Sequence, residues 1–239
     1  MKKINPFLPA LTAGFAGYAL RRLLYRSGLD NRGLLNPADP LHLLCWLLIL
    51  GLGIFLLLRL RKDSEFALPR SLCLFSAAAA ALLLAFCART FLLNAQSRLQ
   101  WFRAVFCCLT AAASALAALM QGARREVHPA LHTPACLFFA ADMLCRYQNW
   151  SGNPQLADYC FALGASVCLC LAAYQTLALP ARLGNRRSYL MCALLGLSLC
   201  LFSMAGPEAD VLYLAGAFWI LSGLQMPVPE PEEEDYADS

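Results

Sequence analysis

Charge is scarce in this chain, and that scarcity decides more than any motif does. Only 14% of the 239 residues are charged, against 60% that are hydrophobic, well outside the balance of a soluble globular domain. A soluble domain of this length could bury a large core without so much apolar surface. Catalytic motifs are missing as well. The sequence holds no GxSxG, HExxH, Walker loop or GxGxxG, so hydrolase, nucleotide and dinucleotide chemistry have no motif to start from. No CxxC pair occurs among the 12 cysteines. Most of these, such as Cys45, Cys73, Cys107, Cys168 and Cys200, sit inside apolar runs, where free Cys packs as a small hydrophobe. A disulfide framework belongs to small extracellular domains and is not expected. His128 and His132 are four apart, but Pro129 and Pro134 interrupt a helical ligand pair, which makes a weak zinc signal. Nothing calls for a cofactor.

What the chain does have is long uncharged runs. Leu41 to Leu58 carries no charge apart from His42, and Ser71 to Ala88, Ala104 to Met120, Tyr159 to Ala181 and Ser188 to Gly206 carry none. Each is close to the roughly 17–25 residues that cross a hydrocarbon core. In lipid the backbone must satisfy its own hydrogen bonds, so such runs are helices. Membrane β-strands would be shorter and would alternate. The fold expected is all-α: a polytopic transmembrane helix bundle of about eight spans over residues 1–224. A disordered acidic tail, Gln225 to Ser239, follows it.

The spans read in order as Pro6 to Leu20, Leu41 to Leu60, Leu68 to Leu93, Trp101 to Met120, Pro134 to Arg146, Tyr159 to Leu179, Ser188 to Met204 and Val211 to Leu224. The first run follows Lys2 and Lys3 and resembles a signal peptide, with Gly17 and Ala19 as a small-x-small site. Arg21 and Arg22 disfavour cleavage, and Leu23 to Tyr25 extend an uncleaved helix. The fifth run is the weakest, being short and interrupted by Asp142. If it or the first lies at the interface, seven spans remain. No internal repeat relates the two halves, as it would in many transporters.

The net charge of +4 comes from 19 basic residues scattered among the hinges, which is no nucleic-acid footprint. Such charges report topology. With eight spans they divide 11 to 8 in favour of the side holding both termini, which puts the termini in the cytoplasm of a cell membrane, bacterial in type from the short loops. Arg21, Arg22 and Arg26 then lie outside, against the rule, which either weakens this topology or suggests an anionic partner there.

Asp142 is the sharpest lead, because an acid at helix centre costs roughly 2.5–3.5 kcal/mol to insert. Arg146 lies four residues on, in the favourable acid-before-base order. The pair reads either as an internal ion pair that lets a short helix insert or as a proton, cation or substrate site. Arg146-Tyr147-Gln148-Asn149-Trp150, continuing to Asp158-Tyr159, is the densest polar and aromatic cluster. Interfacial anchoring is the plain reading. A pocket mouth walled by Asp142, Arg146 and Asp158, with Trp150 as a stacking face, is the alternative. Asn149-Trp150-Ser151 also matches a glycosylation acceptor. Arg89 and Arg103 flank the third hinge and are expected to snorkel to headgroups, or to hold a lipid phosphate or anionic solute. Gln175, inside the sixth run, calls for an interhelical hydrogen bond. Ser76 to Ala81 and Ala111 to Ala118 are strings of small residues that let the third and fourth helices approach closely.

Three function classes remain open. One is a small-solute or lipid-handling transporter or binding protein centred on Asp142 and Arg146. Another is a structural or regulatory membrane subunit whose tail, Glu230 to Asp238, docks a basic partner. An intramembrane enzyme on lipid-linked substrates ranks last, because no nucleophile or metal set can be assembled for it.

Overall fold

A computed structural model describes residues 5–27, 39–60, 66, 68–125, 127–150, 156–181, 183–205 and 211–224. The fold is an all-α bundle of eight α-helices, with no strand among the described residues: α1 Phe7–Ser27, α2 Pro40–Arg59, α3 Arg70–Asn94, α4 Arg98–Gly122, α5 Thr133–Trp150, α6 Leu156–Ala178, α7 Arg186–Ser203 and α8 Val211–Gly223. A single 3-10 turn, Pro129–His132, leads into α5. Four helices, Pro40–Arg59, Arg70–Asn94, Arg98–Gly122 and Tyr159–Ala178, are long and apolar enough to cross a membrane by length and composition.

Local chemistry starts the helices where polar residues precede the apolar runs. Asp39 accepts from the Leu41 N–H and Pro40 takes the first turn of α2, where its missing N–H costs nothing. Ser97 and Gln100 form a reciprocal capping box on α4. Asn185 caps α7 through the Arg187 N–H. Arg186 and Arg187 therefore belong to the helix and not to a hinge before it.

Besides the starts of α4 at Arg98 and α7 at Arg186, two boundaries around α5 and α6 differ from the sequence expectation. The fifth helix does not stop at Arg146: α5 carries on through Tyr147, Gln148, Asn149 and Trp150. The sixth begins before Tyr159, at Leu156. Polarity was mistaken for a break. The first true breakers after α5 are Gly152 and Pro154, and polar residues near a helix end cost little while backbone bonds are kept. The tail Gln225 to Ser239 lies outside the described residues.

Helices α3 to α8 close into a ring, each packed on the next and α8 back on α3, while α1 and α2 lie outside against α7. The ring interior is filled with aromatic side chains. Phe91 meets Phe138, Phe138 meets Phe139, Phe139 meets Trp219, and Trp219 meets His132, at ring separations of 5.1–6.4 Å. The strings of small residues act as expected between α3 and α4. Ala77, Ala80, Ala81 and Ala111 are buried, and Cys107 Sγ reaches the Leu84 carbonyl at 3.4 Å.

The first helix uses the same device against α7. Its buried stripe is Ala10, Ala13, Gly14, Gly17, Arg21 and Leu24. A Cβ at Gly17 would collide with the Phe202 ring, and one at Gly14 would stand 2.6 Å from Leu201 Cδ1. Ser198 Oγ donates to the Ala10 carbonyl at 2.7 Å. Only glycine admits so close a crossing.

The chain alternates direction from one helix to the next, so the bundle has two ends. At one, Arg70 donates to the Gln121 carbonyl at the close of α4, and Arg187 to the Leu57 carbonyl near the close of α2. The opposite end gathers the last turns of α1, α3, α5 and α7 and the first turns of α2, α4, α6 and α8.

Candidate functional site

That second end holds the candidate site, and α5 builds its floor. Ala135, Phe138, Phe139, Asp142, Cys145 and Arg146 are all buried and recur every three or four residues, so they share one face of the helix. Asp142 therefore continues the aromatic stripe toward the core, and Arg146 follows one turn later. Arg146 Nε donates to Asp142 Oδ2 at 2.7 Å. Sequence reasoning expected this pair.

Arg103 joins it from α4. Its Nη1 lies 3.4 Å from Asp142 Oδ1. The side chains of Asp142, Arg146 and Arg103 are 3%, 6% and 15% exposed, so both guanidiniums meet the carboxylate largely out of solvent. Each also lies over an aromatic face. The Arg103 guanidinium carbon is 3.9 Å from the centre of the Phe91 ring on α3, and that of Arg146 is 4.8 Å from the Tyr213 ring on α8. Such contacts stabilise a cation more as water is removed. Four helices thus supply the cluster.

Arg103 was expected to snorkel outward, and here the structure corrects the sequence. It falls on the inward stripe of α4 with Cys107, Thr110, Ser114 and Ala117. That periodicity was legible and was passed over because charge at a helix end is usually flanking charge. The two guanidiniums are not equally served. Arg103 holds its carboxylate oxygen at the long limit of a hydrogen bond, and its buried Nε has no hydrogen-bond partner among the described residues. A buried donor without an acceptor is costly.

Arg21, expected from the sequence to lie outside and face an anionic partner, is 2% exposed. Its Nη1 donates to the Phe202 carbonyl at 3.2 Å and its Nη2 to the Tyr25 hydroxyl at 2.9 Å. The Phe161 ring lies 4.9 Å from its guanidinium carbon, and Phe161 in turn packs on Trp46, His42 and Phe202. Phe202 is in the last turn of α7, where the helix dipole is negative; its carbonyl also accepts the Ala205 N–H at 3.3 Å. Arg21 therefore caps α7 from a neighbouring helix.

The other expected residues fare differently. Arg89 is exposed on the outer face of α3, away from the cluster. The side chains of Trp150 and Asp158 lie outside the described residues, so the pocket mouth expected from them is not among the arrangements described here. Gln175 does not bridge two helices; its Oε1 accepts the Asn185 N–H at 3.3 Å and closes the turn between α6 and α7. His128 and His132 do not converge. His128 Nδ1 caps the 3-10 turn through the Ala130 N–H. His132 is buried against Trp219, and desolvation pushes its imidazole down to about 4, so it is neutral near pH 7. Among the described residues no group of three or more His, Cys, Asp or Glu gathers as metal ligands. All 12 cysteines are free thiols.

Comparison with protein-family models, curated proteins and solved structures finds no match to this chain.

Proposed function

We propose that this chain is a multi-pass membrane protein that binds a small anionic solute at the Arg103–Asp142–Arg146 cluster, in the manner of a transporter or a solute-binding subunit. The membrane assignment is supported by the four long apolar helices and by exposed Leu, Phe and Trp along α2, α3 and α4. The short helix α8, 13 residues, spans only about 20 Å. It packs within the ring against α3, α6 and α7, so its shortness is borne by protein contacts and not by lipid. Eight spans with both termini cytoplasmic remain our reading of the Lys and Arg distribution.

Arg103 carries the solute-binding reading. It shares a carboxylate that Arg146 already holds at 2.7 Å, reaches it only at 3.4 Å, and keeps a buried Nε without an acceptor among the described residues. An incoming carboxylate, phosphate or sulfate could take its donors in the forked geometry guanidinium favours. Arg146 would keep Asp142. A proton or cation site at Asp142 is disfavoured, because both carboxylate oxygens are engaged by guanidinium groups.

The test is a thermal-shift screen of detergent-purified protein against inorganic phosphate, sulfate, small mono- and dicarboxylates and simple cations, with Arg103→Gln beside wild type. An anion that raises the wild-type midpoint and leaves folded Arg103→Gln unmoved supports the reading. Equal anion responses in both proteins, or a response to cations alone, refutes it. A scaffold role is the second reading, favoured by the deep burial of Asp142 between two cations. It expects stability effects at Asp142 with no anion response in either protein.

A further inference from the structure

The outer face of the α3–α4 hairpin carries a groove of about 640 Å³. Ala81, Ala85 and Ala88 line it from α3, and Cys108, Ala112 and Ala115 from α4. Larger exposed side chains, Leu82, Leu93, Leu116 and Leu119, stand along the same two helices. The small residues let the two backbones approach and leave this trough between the leucines. Its volume is in the range of about 300–1,000 Å³ typical of small-molecule sites. The lining is apolar save for one residue, Arg89.

Arg89 stands five residues before the end of α3 at Asn94, about 7.5 Å in from the helix end. It makes no ion pair or hydrogen bond among the described residues. Asp39 and Asp142 are the acids whose side chains are described, and both are committed elsewhere. On α4 the groove stripe of Cys108, Ala112 and Ala115 continues toward the same end through Val105, Trp101 and Arg98, at intervals of three and four residues. Trp101 is 50% exposed, and Arg98 is exposed without an acidic partner among the described residues. From the helix end inward, one face thus presents a cation, an indole, a second cation and then an apolar trough.

We propose that this groove is a specific site for a glycerophospholipid with an anionic headgroup, its acyl chain in the trough and its phosphate on Arg89. The proposal rests on the membrane reading above but not on the solute site, which lies on the inner side of the same hairpin. Charge selects the occupant. A second copy of this chain, related by a two-fold axis along the membrane normal, would bring two Arg89 side chains to the same depth. Like charges in a low-dielectric setting repel strongly. A phosphate instead meets the guanidinium fork, and an indole at headgroup level is its usual neighbour.

The experiment is native mass spectrometry on detergent-purified full-length protein titrated with palmitoyl-oleoyl phosphatidylglycerol or phosphatidylcholine. Arg89→Gln, Arg89→Lys and Ala112→Phe are run beside wild type. Both positions, 89 and 112, are exposed, so the bundle is kept. Wild type is expected to retain phosphatidylglycerol about fivefold more tightly than phosphatidylcholine, the effect of one basic side chain near a lipid surface. Arg89→Gln abolishes that preference, Arg89→Lys keeps part of it, and Ala112→Phe weakens retention of both lipids by filling the trough. Equal retention of the two lipids by wild type, or an unchanged preference in Arg89→Gln, overturns the proposal. So does a wild-type dimer that Ala112→Phe converts to monomer with lipid retention intact. A chain recovered in the soluble fraction on cell lysis would overturn the membrane reading itself, before any lipid is added.

Discussion

Replacing Asp142 by Asn keeps the side chain's shape and removes its charge, which isolates what the carboxylate does for the two guanidiniums around it. In the wild type the carboxylate is 3% exposed and Arg146 is 6% exposed, joined at 2.7 Å, with Arg103 at 3.4 Å on the other oxygen. Removing one partner of a buried ion pair costs about 3–5 kcal/mol, because the remaining charge stays desolvated. The Asn carbonyl can still accept from Arg146, which favours the lower end, about 3 kcal/mol. For a chain of this size each kcal/mol moves the melting midpoint by about 2–4 °C, so Asp142→Asn should melt about 6–12 °C below wild type. Arg103→Gln removes the 3.4 Å contact to Asp142 and the contact over the Phe91 ring but also relieves a buried unpartnered Nε, and should lose only about 1 kcal/mol on balance. Combining the two takes away a cation that has lost its counter-ion, so the double variant should be more stable than Asp142→Asn alone. Thermal melts in one detergent, followed by near-ultraviolet circular dichroism, measure all three. A midpoint for Asp142→Asn within about 1 °C of wild type would refute the reasoning. So would a double variant destabilised by the sum of the two singles, since residues sharing one carboxylate must couple.

Further outcomes follow from the packing. Gly17→Ala places a methyl group against the Phe202 ring; overpacking of this kind costs about 1–3 kcal/mol, and the melt should show it, while Gly51→Ala, with open space around it, should not. His132 is neutral when folded, with its pKa lowered from 6.5 to about 4 by burial. The unfolded chain binds that proton more readily, so the stability His132 contributes is fully present above about pH 6.5 and is lost as pH falls toward 4. Melts at pH 7.5 and pH 5 should converge in His132→Phe and diverge in wild type. Equal pH sensitivity in both proteins would count against a neutral buried imidazole.

Much of the architecture was legible because lipid leaves a chain few options. Runs of about twenty apolar residues can only be helices there, whereas the caps Asp39, Ser97 and Asn185, which start α2, α4 and α7 one to three residues before the expected spans, were not read from the sequence. The Asp142–Arg146 pair was legible from its i, i+4 spacing. Arg103 was legible as an arginine for headgroups or an anion, but not as a partner of Asp142, because charge at a helix end is usually flanking charge and its stripe with Cys107, Thr110 and Ser114 is made of small residues that carry little hydrophobic signal. Arg21 was hidden for the same reason: Ala10, Ala13, Gly14 and Gly17 make a face that looks featureless until a neighbouring helix is laid against it. The end of α5 was misjudged because polarity was read as a break, whereas only Gly and Pro oppose helix geometry directly.

The arginines of this bundle can be sorted by what each one is given, and the sorting bears on function. Arg21, Arg70 and Arg187 each donate to a carbonyl in the last turns of a neighbouring helix. Such carbonyls sit at the negative end of the helix dipole, and each arginine adds a charged donor to one; the Phe202 and Gln121 carbonyls also accept the Ala205 and Arg124 N–H groups. Arg146 takes a carboxylate at close range. None of these four has an evident reason to meet a mobile ligand. Arg103 has a shared carboxylate, a long contact and an unmet donor, and Arg89 has only an apolar groove beside it. Both lie toward one end of one hairpin, on its inner and outer faces. If arginines served only to hold helices together, these two would be the ones best replaced by leucine. On the readings proposed above, the open donors of Arg103 and Arg89 would meet anions, a solute on the inner face and a phospholipid on the outer.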